Sequence, residues 1–222
     1  MGADPIKPNR VLIVAGGEPW SGALPHIESA ISEVIAADSG IHLALELGLP
    51  VSVVVGDMDS ASPEALSAAE RSGARIDRHP EDKEATDLEL AIDLACTNGA
   101  TNIVVLGGAG GRMSHLLGIA GLLGSDKYSS QQITWLLPGV TIHVVTPLHG
   151  GRVEGDPKDL VSLIPIGGTA SGIKTTGLRW SLENDTLAGS TTRGISNELT
   201  AGRADISVAD GVLLVVHERP PE

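Results

Sequence analysis

Short apolar runs alternate with helix-like segments through the first 139 residues, and this alternation narrows the folds that the chain can adopt. Each run has the length and the aliphatic content of a buried strand; the runs cover residues 11–15, 34–37, 51–55, 102–106 and 133–137. Between them, Ser62-Pro63 is typical of a helix start, and Thr86 with Glu89 matches a capping box. The alternation predicts an α/β fold, a mostly parallel sheet with helices on its faces.

The pattern changes near Pro138-Gly139. Beyond this point, short runs of Val, Ile, Thr and Leu are separated by Gly, Asn and Asp, as in residues 141–145, 160–164, 204–208 and 212–216. Several short strands with turn residues between them predict an all-β sandwich or barrel. We therefore predict an α/β domain over residues 1–139 and a smaller all-β sandwich domain over residues 140–222.

The charge balance argues against several classes of partner. Lys and Arg number 15 and Asp and Glu number 28, so the formal net charge at pH 7 is 15 − 28 = −13. Nucleic acids and anionic membranes bind to basic surfaces, so we expect neither as a partner. If an anionic substrate binds to such an acidic chain, a metal ion and a few Lys or Arg side chains must gather around its negative charges.

Cysteine usage and hydropathy indicate the compartment. Cys96 is the single cysteine in the sequence, which excludes an intrachain disulfide and a cysteine metal cluster. Residues 1–10 are polar and lack the apolar core of a signal peptide, and no apolar stretch reaches membrane-spanning length. We therefore expect a soluble cytoplasmic protein.

Polar clusters follow the predicted strands. They are Asp38-Ser39-Gly40, Asp57 with Asp59, the segment from Asp82 to Asp87, and the segment from Gly107 to His115. Because the carboxyl ends of parallel strands lie at one edge of a sheet, we expect these clusters to converge on a binding site. The alternative is that each cluster is an ordinary turn or helix cap.

Asp57 and Asp59 come directly after a buried run, two residues apart. Carboxylate oxygens in this position suit Mg²⁺, which binds one or two carboxylates together with substrate phosphates. The alternative is that both aspartates close a strand-to-helix turn. Asp87, at the first position of the capped helix, is a third candidate ligand, although the helix dipole alone also favours a carboxylate there.

A glycine-rich loop is predicted over residues 107–115, followed by a helix over residues 116–123. Its Gly107-Gly108-Ala109-Gly110-Gly111 run can bring backbone N–H groups close to phosphate oxygens. Arg112 suits a phosphate because a guanidinium donates two hydrogen bonds to it, and Lys83 is a second candidate cation. The alternative is that both are solvated surface charges.

Taken together, these motifs resemble the thiamine pyrophosphokinase family along nearly the whole chain. The motifs are Ala37-Asp38-Ser39-Gly40, Gly56-Asp57-Met58-Asp59-Ser60, Asp82-Lys83 with Thr86-Asp87, Gly107-Gly108 through Arg112 and His115, Gly177-Leu178-Arg179-Trp180, Leu182-Glu183-Asn184-Asp185-Thr186-Leu187, and Gly189-Ser190 through Gly194-Ile195-Ser196-Asn197-Glu198. The resemblance implies an α/β domain, a β-sandwich and a homodimer with active sites at the subunit interface. It also implies transfer of the terminal diphosphate of ATP to the hydroxyl group of thiamine, with Mg²⁺ as cofactor and AMP as second product.

The resemblance also assigns roles to individual residues. By resemblance, Asp57, Asp59 and Asp87 match the acidic residues that handle Mg²⁺ and the reacting phosphates, Asp38 and Arg112 match nucleotide-side positions, and Trp180, Ser196 and Asn197 match thiamine-side positions. We further predict that Lys83 and Arg112 offset phosphate charge. The other residues that we predict on the nucleotide side are Asp82, Thr86, Gly108, Gly111 and His115.

The sequence departs from the family pattern at one position, where Arg-x-Asp-His is replaced by Arg112-Met113-Ser114-His115. Ser114 cannot carry the charge of the usual aspartate, but it can cap the helix that follows. Two other functions stay open. One is a pyrophosphokinase for another hydroxyalkyl heterocycle, such as a pterin; the other is a non-catalytic thiamine- or nucleotide-binding protein, which Ser114 alone suggests.

Overall fold

The structure is a computed structural model that describes residues 9–22, 24 and 31–219. Most of the polar N-terminal segment that is predicted to lack a signal peptide therefore lies outside the described residues. None of the helices within these ranges combines the length and apolar character that crossing a membrane requires. The chain divides into two compact units, one ending at Gly111 and the other beginning at Arg112.

The first unit is a parallel sheet with helices between its strands. In chain order, its described elements are β1 (Arg10–Ala15), β2 (Glu33–Ala37), α1 (Gly40–Glu46), β3 (Val53–Gly56), α2 (Pro63–Arg71), β4 (Arg75–Arg78), α3 (Asp87–Thr97) and β5 (Asn102–Gly107). The strands lie in the order β4-β3-β2-β1-β5, and each described pair is parallel. This confirms the predicted α/β fold and brings the carboxyl ends of the strands to one edge.

Local sequence explains where these elements begin. The Ser62 hydroxyl accepts a hydrogen bond from Ala65 N at 3.2 Å at the start of α2, and Thr86 Oγ1 accepts one from Glu89 N at 3.3 Å at the start of α3. Both predicted helix starts are therefore confirmed. The strand predicted from residue 51 instead begins at Val53, because Val51 N donates to Leu49 O in the preceding turn.

The second unit is an antiparallel β domain preceded by one α-helix and a short 3-10 helix, Asp126–Tyr128. Its described helix and strands are α4 (Met113–Leu123), β6 (Gln132–Leu137), β7 (Val140–Val145), β8 (Gly151–Glu154), β9 (Leu160–Thr176), β10 (Glu183–Leu187), β11 (Asn197–Glu198), β12 (Arg203–Ser207) and β13 (Asp210–Glu218). The strands run in the order β6-β7-β13-β9-β12-β8, and both β10 and β11 pair with β9. Every described pair is antiparallel, which confirms the predicted C-terminal β class.

Aliphatic side chains fill the core of each unit. In the first unit Ile13, Ile35 and Val54 are fully buried, and in the second Leu163 and Leu213 are at most 1% exposed. Burial of one such side chain contributes about 1.5–3 kcal/mol.

The second unit also includes β6, which pairs with β7, and α4, which contacts β9. Residues 112–139 therefore belong to the second compact unit, and the domain boundary at residue 139 stays a prediction.

The start of α4 differs from the prediction. The helix begins at Met113 with Arg112 as its N-cap residue, so Ser114 lies in the first turn and does not cap the helix. His115 N donates to Arg112 O at 2.9 Å, which closes the first turn three residues earlier than predicted. The glycine-rich loop is correspondingly shorter than residues 107–115.

We predict that His143 makes the stability of the fold depend on pH. Burial, reinforced by the nearby His217, lowers the pKa of His143 from 6.5 to about 4. As the pH falls from about 7 to 4, the unfolded chain takes up a proton on this imidazole before the folded chain does, so the free energy of unfolding decreases. At 1.36 kcal/mol per pKa unit, the loss is at most about 3 kcal/mol.

Urea unfolding at pH 7, 6, 5 and 4 measures this effect. We expect His143→Gln to lose less stability than the wild type over this range; His79→Gln, on a half-exposed histidine outside the strands, is the control for the removal of an imidazole. Identical slopes for the wild type and His143→Gln would show that this imidazole does not titrate as described.

Candidate functional site

Asp38 closes the end of β2 in a conformation that few residues adopt. Its φ is +42°, its N–H donates to Val55 O at 2.8 Å, and its carbonyl oxygen accepts a hydrogen bond from Ile41 N at 3.2 Å. These bonds tie the turn both to the neighbouring strand and to α1. The side chain is only 8% exposed, so a carboxyl group is held inside the protein at the edge of the sheet.

The turn after β3 presents two more carboxylates. Asp59 N donates to Asp57 Oδ1 at 3.1 Å, and Ser60 Oγ donates to Asp59 Oδ1 at 2.7 Å. Between the two aspartates, Met58 has a φ of +67°, and its side chain is buried in the core beneath the turn. The buried Met58 therefore ties the turn to the core, while Asp57 and Asp59 remain near the surface.

The three carboxylates converge as predicted. One oxygen each from Asp38, Asp57 and Asp59 lies within 4.8 Å of the other two. Asp38 is buried, Asp57 is half-buried and Asp59 is exposed, so the cluster opens to solvent on one side. Asp38 Oδ1 is buried, and no hydrogen-bond donor reaches it within the described part of the chain. A hard divalent cation suits this set of oxygen atoms.

Electrostatics at Asp38 favour the binding of a cation. Burial is the main cause that raises the pKa of Asp38, and the negative charges of Asp87 and Asp59 raise it further. The backbone N–H groups of Ser39 and Ser60 act in the opposite direction and lower this pKa. A bound cation would offset both the desolvation cost of the buried charge and its repulsion by the neighbouring carboxylates. It would thereby favour the ionised form of Asp38.

Lys83 bridges two of the acidic residues. Its Nζ lies 2.8 Å from both Asp57 Oδ2 and Asp87 Oδ1. The hydrogen bond from Lys83 is the main cause that lowers the pKa of Asp57. Partial burial alone would lower the pKa of Lys83, but its bonds to the two carboxylates outweigh burial and raise it. Lys83, which the sequence analysis assigned to phosphate, is thus paired with carboxylates in this structure.

Gly56 makes room for this arrangement, a role that the sequence analysis did not assign. Its φ is +148°, and a Cβ built there would lie 2.8 Å from Asp87 Oδ1 and 3.2 Å from Asp38 Cβ. Any side chain at this position would therefore displace at least one of the two carboxyl groups. The signal in the sequence is a glycine at the end of an apolar run, directly before Asp57.

The glycine-rich loop lies against an acidic residue. Gly107, Gly108 and Gly110 have φ values of +86°, +87° and +81°. Glu18 N donates to Ala109 O at 3.0 Å, and a Cβ on Gly110 would lie 2.2 Å from the Glu18 side chain. A phosphate group that approached Gly110 would therefore meet this side chain, which the sequence analysis did not indicate.

The other nucleotide-side residues have varied surroundings. Asp82 is exposed in the loop before α3, and Thr86 uses its hydroxyl to cap that helix, which places Asp87 in the first turn. Gly111 is exposed, with open space where a Cβ would lie. In the second unit, Arg112 Nη2 contacts His115 Nε2, and both side chains are exposed.

Trp180 and Asn197, both assigned to the thiamine side, contact each other in the second unit. Asn197 Oδ1 accepts a hydrogen bond from Trp180 N at 3.0 Å, and its Nδ2 donates to Trp180 O at 2.8 Å. Ser196 has a φ of +57°, and its N–H donates to the Ser162 hydroxyl at 3.0 Å. The Arg179 guanidinium lies 4.6 Å from the centroid of the Trp180 ring, a contact that the sequence analysis missed.

Comparisons with known proteins agree with these observations. The family model "Thiamin pyrophosphokinase, catalytic domain" matches residues 24–135, and "Thiamin pyrophosphokinase, vitamin B1 binding domain" matches residues 142–213. The thiamine pyrophosphokinase of Bacillus subtilis (strain 168) is 28% identical over 207 residues, which cover 92% of this chain and 96% of the relative.

Solved structures give the same result. The crystal structure of thiamine pyrophosphokinase from Bacillus subtilis superposes with a TM-score of 0.81 at 26% identity, over 96% of this chain and 100% of that chain. A thiamin pyrophosphokinase family protein from Enterococcus faecalis superposes with a TM-score of 0.78 at 25% identity, over 96% and 100% of the two chains.

We predict that Gly56→Ala weakens divalent-metal binding, because the new methyl group displaces the Asp87 or Asp38 carboxyl group. Displaced groups around a metal site typically cost roughly 10- to 100-fold in affinity. Gly73→Ala is a matched control: its φ is +95°, so it suffers comparable backbone strain, but open space surrounds the added methyl group. Titration with Mn²⁺ measures both variants, and equal affinities would contradict the role given to Gly56.

Proposed function

We propose, since this chain belongs to the thiamin pyrophosphokinase family, that it transfers the terminal diphosphate of ATP to the hydroxyl group of thiamine. The observation that carries this proposal is the convergence of Asp38, Asp57 and Asp59 at the carboxyl edge of the sheet in the catalytic-domain half. In this reaction the thiamine hydroxyl oxygen bonds to the β-phosphorus of ATP and releases its proton to a site carboxylate or to solvent. The bond from that phosphorus to the oxygen bridging the α- and β-phosphates breaks, and AMP leaves with the bridging oxygen.

Mg²⁺ is the proposed cofactor, and the residues present fit it. Asp57 and Asp59 would hold the ion, with Asp38 and Asp87 completing or orienting the site, because Mg²⁺ binds a few carboxylates together with substrate phosphates. An ion held there would neutralise charge on the reacting phosphates. Lys83 keeps Asp57 ionised and fixes its direction through the 2.8 Å contact, so this carboxylate is ready before the ion arrives.

The remaining site residues are assigned either to the nucleotide or to thiamine. We assign the nucleotide side to Asp38, Asp82, Thr86, Gly108, Gly111, Arg112 and His115, and the thiamine side to Trp180, Ser196 and Asn197. The exposed indole of Trp180 supports the second assignment, since an open aromatic face suits a heteroaromatic substrate. In this proposal residues 1–139 bind ATP and Mg²⁺, and residues 140–222 bind thiamine and form the dimer interface.

A homodimer in the cytoplasm is the assembly that we propose. Helix α4, which precedes residue 140, would extend this interface, because Met113 is 67% exposed and Leu117 is 65% exposed. Large exposed apolar side chains close together are typical of protein–protein contacts. The acidic composition gives no support to a nucleic-acid partner.

The two alternative functions have less support. The match to a vitamin B1 binding domain over residues 142–213 favours thiamine over a pterin. The binding-only role was suggested by Ser114 alone, and Ser114 lies in the first turn of α4. The acidic cluster of Asp38, Asp57 and Asp59 forms without this residue, so its replacement does not argue against catalysis.

Formation of AMP and thiamine diphosphate from ATP, thiamine and Mg²⁺ tests the proposal. We expect the two products in equal amounts, and none when a chelator removes the metal. AMP formation with a hydroxymethyl pterin and not with thiamine would replace the substrate. Thiamine binding without AMP formation would support the binding-only alternative.

We predict that Asp59→Asn lowers kcat by at least roughly 100-fold, because the loss of a ligand charge removes several kcal/mol of electrostatic stabilisation. Asp59 is exposed, so the free energy of unfolding should change little. Glu64→Gln removes the charge of an exposed carboxylate in α2 of the same unit and serves as the matched control. Steady-state kinetics and urea unfolding compare the variants, and a near-normal rate for Asp59→Asn would refute the proposed metal site.

A further inference from the structure

Trp180 is unusual for its exposure. The indole is 54% exposed, whereas Trp135 is 1% exposed in the same unit. An exposed indole does not contribute the stabilisation that a buried aromatic side chain provides, so its exposure requires an explanation. The surrounding contacts supply one, because two different side chains fix the backbone and the ring of this residue.

Asn197 fixes the backbone. Its side chain is inside the protein, with the residue 6% exposed, and its Oδ1 accepts hydrogen bonds from both Trp180 N at 3.0 Å and Glu198 N at 2.9 Å. Its Nδ2 donates to Trp180 O at 2.8 Å. Three of the four hydrogen bonds that a primary amide commonly makes are therefore used within the chain.

Arg179 fixes the ring. Its guanidinium lies 4.6 Å from the ring centroid, the distance of a cation–π contact. Glu198 holds the guanidinium in place, with Arg179 Nη1 at 3.1 Å and 3.0 Å from the two carboxylate oxygens. Arg179 N also donates to Glu198 O at 2.9 Å, so both the backbone and the side chain of Arg179 are tied to one residue.

These contacts leave one face of the indole for a ligand, because the guanidinium covers the other. We propose that Arg179 and Asn197 are positioning residues that hold Trp180 as a one-faced platform on which an aromatic ring of the substrate stacks. This inference rests on the proposed function. It gives Asn197 a role through Trp180, in place of the direct thiamine contact that the family resemblance implies, and it adds Arg179 to the site.

The platform lowers the cost of binding. A free indole on an open loop would lose rotational freedom when a substrate ring stacks on it, and that loss weakens binding. Here Asn197 and Arg179 have already restricted the backbone and the ring. Removal of the guanidinium should therefore weaken thiamine binding by roughly three- to tenfold, and ATP binding should not change.

Arg179→Gln tests the inference, with Arg152→Gln as a matched control. The two arginines are both 57% exposed and paired with a carboxylate in the second unit, at 3.0 Å to Glu198 and 3.1 Å to Asp205, respectively. Equilibrium dialysis with labelled thiamine gives Kd without requiring turnover. We expect a higher Kd for Arg179→Gln and an unchanged Kd for Arg152→Gln, with an intermediate Kd for Arg179→Lys. Arg179→Gln should also raise the KM for thiamine with little change in kcat.

A double-mutant cycle separates positioning from direct contact. If Arg179 and Asn197 act through Trp180, then Arg179→Gln and Asn197→Ala should each have no further effect on Kd in a Trp180→Ala background. The same loss in both backgrounds would overturn the inference. An unchanged Kd for Arg179→Gln in the wild-type background would overturn it as well. Arg179 is exposed, so this variant stays informative even if Asn197→Ala fails to fold.

The outcomes for the inference and for the proposed function are distinct. Thiamine binding with the expected cycle but no AMP formation would uphold the platform and overturn the proposed reaction. Normal turnover with no effect of Arg179→Gln on the Kd or KM for thiamine would uphold the proposed reaction and overturn the platform. A wild-type chain that bound no thiamine would overturn both.

Discussion

Repulsion among carboxylates is the constraint that shapes the first unit. Asp38, Asp57, Asp59 and Asp87 gather at one edge of a parallel sheet, and a buried or half-buried negative charge is costly without compensation. The ammonium group of Lys83 contacts Asp57 and Asp87, and backbone N–H groups of Ser39 and Ser60 stabilise Asp38. Compensation is incomplete, since the pKa of Asp38 is still raised. The chain thus maintains an excess of negative charge where a cation would bind.

In the second unit, the main feature is a large aromatic ring, that of Trp180, which is held at the surface without being buried. Its 17-residue strand β9 pairs with four other strands and supplies the hydroxyl of Ser162 that binds Ser196 N. Asn197 and Glu198 follow directly, and their side chains fix Trp180 and Arg179. Rigid strands therefore position a surface loop, as is usual where loops carry binding residues.

The sequence predicted those parts of the structure that depend on local pattern. Apolar runs and helix caps located most of the first unit, and the aspartates at strand ends converged because parallel strands share an edge. The short strand β4, Arg-Ile-Asp-Arg, escaped prediction because its exposed and half-buried positions give no apolar run. The roles of Gly56, Glu18 and Arg179 depend on contacts with residues far along the chain or on ring geometry. No spacing rule encodes these contacts.

The way in which Asn197 binds Trp180 has an evolutionary consequence. All of its hydrogen bonds to that residue go to the main-chain N–H and C=O groups, and none goes to the indole. These hydrogen bonds are thus independent of which side chain projects from position 180. One codon change could exchange the ring for another group while the scaffold persisted, so position 180 is a point at which ligand preference can diverge among descendants of this gene.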